Sequence, residues 1–163
     1  MPRGDADIAA TPGLLDRLMD LDPGSSSDPP ATRNQSVRQL KISLRRDLEW
    51  LLNTRRTPEE VPETYEHLCH SLYNYGLADV TSMSLNSPRD KMRLLRTIEA
   101  VLADFEPRLA NVRVRALDEG DSGGLRVLRF QIEGLLKMDP APEQVFFDTV
   151  LQLSTGACQV KGE

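Results

Sequence analysis

Apolar residues recur along the chain with two different periods, and the change of period divides it. From Val37 they fall at Leu40, Leu44, Leu48, Leu51 and Leu52, the three-and-four spacing of a helix's buried stripe. Trp50 lies at the edge of this stripe, and Arg38, Lys41, Arg45, Asp47 and Glu49 take the far side. The spacing predicts a helix that starts near Ser36 as N-cap. Asn53–Pro58 should stop it, because Pro58 disfavours helix at Thr57 and Asn53 tolerates a left-handed cap. A second helical stripe, Met92, Leu94, Leu95, Ile98, Val101, Leu102 and Phe105, follows Ser87-Pro88-Arg89-Asp90. A cap residue, a proline at the first helical position and an early acid all favour a start there. Pro107 ends it.

Beyond Pro107 the period falls to two. Val112, Val114 and Ala116 alternate with Arg113 and Arg115, and Leu128, Phe130 and Ile132 alternate with Arg129, Gln131 and Glu133. These are two strands, joined through the loop Glu119–Gly124. Val145–Leu151 predicts a third, and Ala157–Val160, after the Thr155-Gly156 turn, a short fourth. Helices followed by an antiparallel meander make an α+β fold. Residues 59–80 show no clean period: Tyr65, Leu68, Cys69 and Leu72 fit a short helix, and Leu72–Leu77 could run extended into a turn at Gly76. An irregular, buried connection is expected.

Ahead of the first long helix, residues 1–12 are small and acidic and read as disordered. Leu14, Leu15, Leu18 and Met19 then share one face of a two-turn helix. So short a helix is marginal alone in water, so it needs a surface, either a partner or the parent domain. Asp22–Ala31 is a linker by composition. The organisation expected is a flexible N-terminal arm over 1–35 and a single domain over 36–163.

Composition narrows the class. A chain of 163 residues with 39% hydrophobic content supports one core, and with one Trp, three Tyr and four Phe that core must be mostly aliphatic. No apolar run approaches the ~20 residues that cross a bilayer, and no signal-peptide stretch follows Met1, so a cytoplasmic protein without membrane insertion is expected. The net charge of −5 is segmented: −4 over residues 1–32, +5 over 33–56, −5 over 57–80. A basic block on one helix, followed at once by an acidic block and lacking interleaved aromatics, argues for protein partners or internal pairing over nucleic acid. Cys69 and Cys158 read as reduced thiols. Cys69 with His67 and His70 matches no zinc spacing, so no metal and no cofactor is implied.

Catalytic motifs are missing. There is no G-x-S-x-G, no phosphate loop and no H-E-x-x-H. Glu99, Asp104 and Glu106 could serve a two-carboxylate hydrolase, but nothing in the sequence sets them across a cleft. One tripeptide stands out, Glu106-Pro107-Arg108 at the junction of helix and sheet. Pro107 keeps Glu106 out of helical conformation, so an acid and a guanidinium are presented on a stiff support. They either tidy a helix end or contact a partner. In the second case, replacing either should weaken association while the domain melts nearly as before.

Several motifs occur in a recognisable order: Leu14-Leu15-Asp16-Arg17-Leu18, Asp47–Arg55, Asn74-Tyr75-Gly76-Leu77-Ala78-Asp79, Glu106-Pro107-Arg108, Arg129–Gly134, Phe147-Asp148-Thr149 and Thr155-Gly156. Together they resemble the TssE baseplate subunits of type VI secretion systems, in the superfamily of the contractile-phage baseplate wedge protein once labelled a lysozyme. The likeness spans residues 12–162; Ala78 replaces the usual Pro after Tyr-Gly-Leu, a tolerated turn change. It implies a small domain similar to the sheath subunits' handshake domain and a structural, non-enzymatic role. The implied partners are TssF, TssG and TssK of the baseplate, docked at the inner face of the inner membrane, and the TssB–TssC sheath. It further implies that Glu106, Pro107 and Arg108 contact the TssF–TssG core and that sheet edges receive sheath strands. The arm residues Leu14, Leu15 and Leu18 are a second expected partner contact. Two other roles have to be weighed against this one: a muramidase-like hydrolase, and a stress-signalling anti-adaptor of the same fold.

Overall fold

The computed structural model describes residues 10–19, 23–24, 32–59, 61–62, 64–81, 83, 87–117 and 127–162. The expectations for residues 1–9, for most of the 22–31 linker and for the Glu119–Gly124 loop fall outside these. Among the described residues four α-helices precede four strands: α1 (Leu14–Leu18), α2 (Arg33–Asn53), α3 (Glu66–Cys69), a 3-10 turn at Leu72–Asn74, α4 (Pro88–Phe105), then β1 (Leu109–Ala116), β2 (Val127–Leu136), β3 (Glu143–Gln152) and β4 (Ala157–Gly162). The strands form one antiparallel sheet in sequential order. The fold is α+β, as the change of period predicts.

The first long helix begins earlier than expected. Thr32, not Ser36, is its N-cap: the Thr32 hydroxyl accepts from the Gln35 N–H while the Gln35 side chain accepts from the Thr32 N–H. This reciprocal box satisfies two backbone donors at the helix start. Ser36 is buried in the first turn, donating to the Arg33 carbonyl and accepting from the Ala10 N–H at 2.8 Å. Ala10, expected to be disordered, is therefore held against the domain. At the other end Thr54 caps in an extended conformation, so the left-handed cap expected at Asn53 is not formed.

The helices pack on one face of the sheet, and Leu44, Leu48, Leu52, Ile98, Leu102, Phe130, Ile132, Leu136 and Leu151 are fully buried between them. On β2 every second residue from Leu128 to Leu136 is buried. This is the strict alternation of a strand with one face on the core. α4 follows its start signals, with Ser87 accepting from the Asp90 N–H and Pro88 in the first turn. Met92, placed on its apolar stripe by the sequence, is 54% exposed. The connection over 64–74 is not buried as expected: Tyr65 is 60% and Leu72 82% exposed. Its anchor is Gly76, at φ 103°, where a Cβ would collide with the Thr54 carbonyl oxygen. Only a glycine lets that turn lie on the end of α2.

Each outer strand is capped by a helix side chain. Glu99 on α4 accepts from the Val114 N–H of β1 at 3.1 Å. Asn53, the last residue of α2, accepts from the Cys158 N–H at 2.8 Å and donates to its carbonyl at 2.7 Å, on β4. An amide side chain standing in for a strand blunts an edge that would otherwise recruit another chain. Among the described residues, no helix is long and apolar enough to cross a membrane.

Candidate functional site

The end of α4 carries the densest charge in the fold. Glu106 caps α4 in a non-helical conformation, its N–H bonded to the Leu102 carbonyl. Its side chain is only 6% exposed. Burying a carboxylate costs heavily unless it is paired and hydrogen-bonded, and Glu106 is both. Arg108 donates to it through Nε at 2.7 Å and through NH2 at 2.6 Å, and the Arg108 backbone N–H adds a third bond at 3.2 Å. The turn at Pro107 makes this possible by bringing a two-residue separation into fork geometry.

The network extends past the tripeptide. Arg108 also donates to Asp47 on α2 at 2.8 Å. Asp47 accepts from Arg46 at 3.0 Å, and Arg46 reaches Asp16 of α1 at 2.9 Å. Five charges thus alternate in sign from Glu106 through Arg108, Asp47 and Arg46 to Asp16. The Arg46 guanidinium also lies 5.0 Å from the centre of the Trp50 ring, a cation–π distance. The hydrogen bonds Arg108 donates to Glu106 first, against the opposing effect of burial, and then those it donates to Asp47 hold its pKa far above the ordinary value. Tyr75, edge-on to Phe105 at 5.4 Å, is raised by burial and then by the negative charge of Asp47 and Glu106.

Of the expected site residues, Leu14, Leu15, Glu106, Pro107 and Arg108 meet here, and Leu18 lies outside the hollow. Gly13 to Asp16 of α1 and Glu106 to Arg108 line one hollow of about 370 Å³, together with Asp47, Trp50 and Tyr75. The α1 helix is held by its polar side, since the Asp16 side chain is 8% exposed. Its apolar side faces out: Leu14 and Leu18 are each 74% exposed, with Leu15, Met19 and Trp50 also open. Both charges are already paired inside the chain: removing Arg108 leaves Glu106 buried without a counter-charge, whereas removing Glu106 leaves Arg108 with Asp47.

Sequence reasoning missed Asp47, Arg46 and Asp16 as members of this network. Asp47 and its neighbours read as the solvated side of a helix. The usable signal was the adjacent Arg46-Asp47 pair, with Trp50 four residues from Arg46. The carboxylates weighed for hydrolysis are spoken for in other ways. Glu99 holds β1, Asp104 faces His70 at 3.6 Å, and Glu106 is clamped by Arg108. Among the described residues no group of three His, Cys, Asp or Glu side chains is placed to hold a metal.

A second feature lies toward the opposite edge of the sheet. β4 pairs with β3 only from Phe147 to Gln152, so Glu143–Phe146 have no strand on that side among the described residues. A groove of about 640 Å³ continues the line of β4 past Gly162, between Glu143 and the α2 residues Val37, Arg38, Lys41, Ile42 and Arg45. Because Asn53 takes both backbone groups of Cys158, that residue's pair with Leu151 is of the non-hydrogen-bonded kind. Alternation then turns the backbone groups of Gln144 and Phe146 toward the groove.

The model of the family described as baseplate wedge protein gp25 matches residues 38–141. No curated protein matches the chain.

Proposed function

The chain belongs to the gp25 family of baseplate wedge proteins, and we propose that it serves as the TssE subunit of a type VI secretion baseplate, a structural part that attaches to the TssF–TssG core and starts the TssB–TssC sheath. The observation that carries this reading is the alternating network from Glu106 to Asp16. It ties α1, through Asp16, to the Glu106-Pro107-Arg108 turn and leaves Leu14, Leu15 and Leu18 exposed beside it. Exposed aliphatic side chains beside a rigid, half-buried charge cluster have the make-up of an interface centre with its polar surround. Pre-ordering of both parts lowers the entropy lost on binding.

Sheath initiation uses the opposite edge of the sheet. A strand laid along the line of β4 would pair with Gln144 and Phe146 of β3, the strand-addition mode of recognition. TssK is reached through the wedge, and the assembly works at the cytoplasmic face of the inner membrane. The role is non-enzymatic. The carboxylates that a hydrolase would need are engaged in structural bonds, and the family is one of baseplate wedge proteins.

Deletion of residues 1–22 tests the attachment. α1 contributes no fully buried side chain, so the truncated chain should fold while its co-purification with TssF–TssG drops sharply. Undiminished co-purification would count against the reading.

A further inference from the structure

A cleft of about 840 Å³ runs along α4, lined by Met92, Ala100 and Val101 and, from other segments, by Arg56, Cys69 and Asn74. Arg89, Arg93 and Arg96 line it as well, at helical positions i, i+4 and i+7, so they form one row. Among the described residues none of these guanidinium groups, Arg56 included, has a carboxylate within ion-pair distance. The Nε of Arg56 is buried with no acceptor.

The lining carries four arginines against two acids, Asp90 and Asp104, so positive charge is in excess. Like charges at i and i+4 repel, and Arg89 sits in the first turn of α4, at the positive end of its dipole, where Asp90 is the one acid. A buried N–H without a partner adds to the imbalance. The excess suits anionic groups from outside the chain. The row from Arg89 to Arg96 extends about 10 Å along the helix, and the cleft to Asp104 about 22 Å, too long for one small anion. Met92, Ala100, Val101 and Phe105 give the lining an apolar strip beside Thr97, and Asp104 closes the far end beside His70. A nucleic-acid strand, anionic throughout and in need of aromatic platforms, is a poor match.

We propose that this cleft receives an acidic amphipathic helix of a partner protein. Its carboxylates would lie over Arg89, Arg93 and Arg96 and its aliphatic side chains over Met92 and Ala100, a helix-in-groove contact. The site is distinct from the wedge face and does not depend on it.

The test uses the full chain and a fluorescent peptide with Glu at helical spacing on one face and Leu on the next, read by anisotropy. The peptide should bind saturably. Exchange of its Glu for Gln should abolish binding. The double variant Arg93→Glu/Arg96→Glu, at exposed positions, should weaken binding at least tenfold, about 1.4 kcal/mol, with unchanged melting and unchanged co-purification with TssF–TssG. Absence of binding, or binding that survives the charge reversal, would overturn the proposal. So would full competition by inorganic phosphate, which would mark a simple anion site, or by an oligothymidylate, which would mark a polyanion site.

Discussion

Glu106 carries more than its neighbours because it is a buried charge whose every bond is made by one arginine. Substituting Ala leaves Arg108 with Asp47 alone and opens a hole at the end of α4. Breaking such a pair costs about 3 kcal/mol, which in a domain of this size lowers the melting temperature by about 6–12 °C. Thermal unfolding of Glu106→Ala should show this fall, and loss of partner binding in that variant then mixes two effects. The Cys158 thiol is the other residue with a measurable signature. Burial pushes its pKa up to about 12 from 9.0. The unfolded thiol therefore ionises first, and the stability it lends is whole below pH ~9 and fades as pH rises toward 12. Between pH 8 and 10 the parent should lose about 1 kcal/mol more than Cys158→Ala, a difference read from denaturant melts at the two pH values. At this scale the sequence was only half legible. The Glu106-Pro107-Arg108 turn is visible because proline fixes its backbone, but the reach of Arg108 to Asp47, across 61 positions, depends on how two helices pack. No local pattern encodes that.

Among the elements, α2 and α4 and the alternation of the strands follow directly from periodicity, since a one-sided core imposes it. The misplaced cap of α2 shows the limit: Thr32 and Ser36 are both good N-cap residues, and Gln35, three residues after Thr32, was the deciding cue. The exposure of the 64–74 connection was not legible, because short apolar runs there pack on nothing long enough to bury them. α1 is held chiefly by one ion pair, Asp16 to Arg46, with the Asp16 side chain 8% exposed. Its attachment is correspondingly fragile. Asp16→Ala should leave the core intact, cost about 1 kcal/mol and free the helix. Trypsin cleavage after Arg17 should then quicken several-fold relative to the parent. An unchanged cleavage rate would mean that the helix is held by something other than Asp16.

At the scale of the whole molecule, two faces divide the work. One joins α1 to the turn after α4, and the other is the edge of β3 at Glu143–Phe146, which has no partner strand on that side among the described residues. Gln144→Pro separates them. It removes an N–H that bonds to no strand among the described residues, at an exposed position, so folding and TssF–TssG binding should persist while nucleation of TssB–TssC sheath is lost. Normal sheath nucleation would exclude Glu143–Phe146 as the receiving edge. The central claim is the other face, and it is best tested where stability is not disturbed. Leu14 and Leu18 project from α1 at 74% exposure, so Leu14→Ser/Leu18→Ser should melt within about 0.5 kcal/mol of the parent. Calorimetric titration of TssF–TssG into the full chain should show affinity lowered at least tenfold, since two leucines buried at an interface are worth about 3 kcal/mol. Parental affinity in this variant would contradict the account.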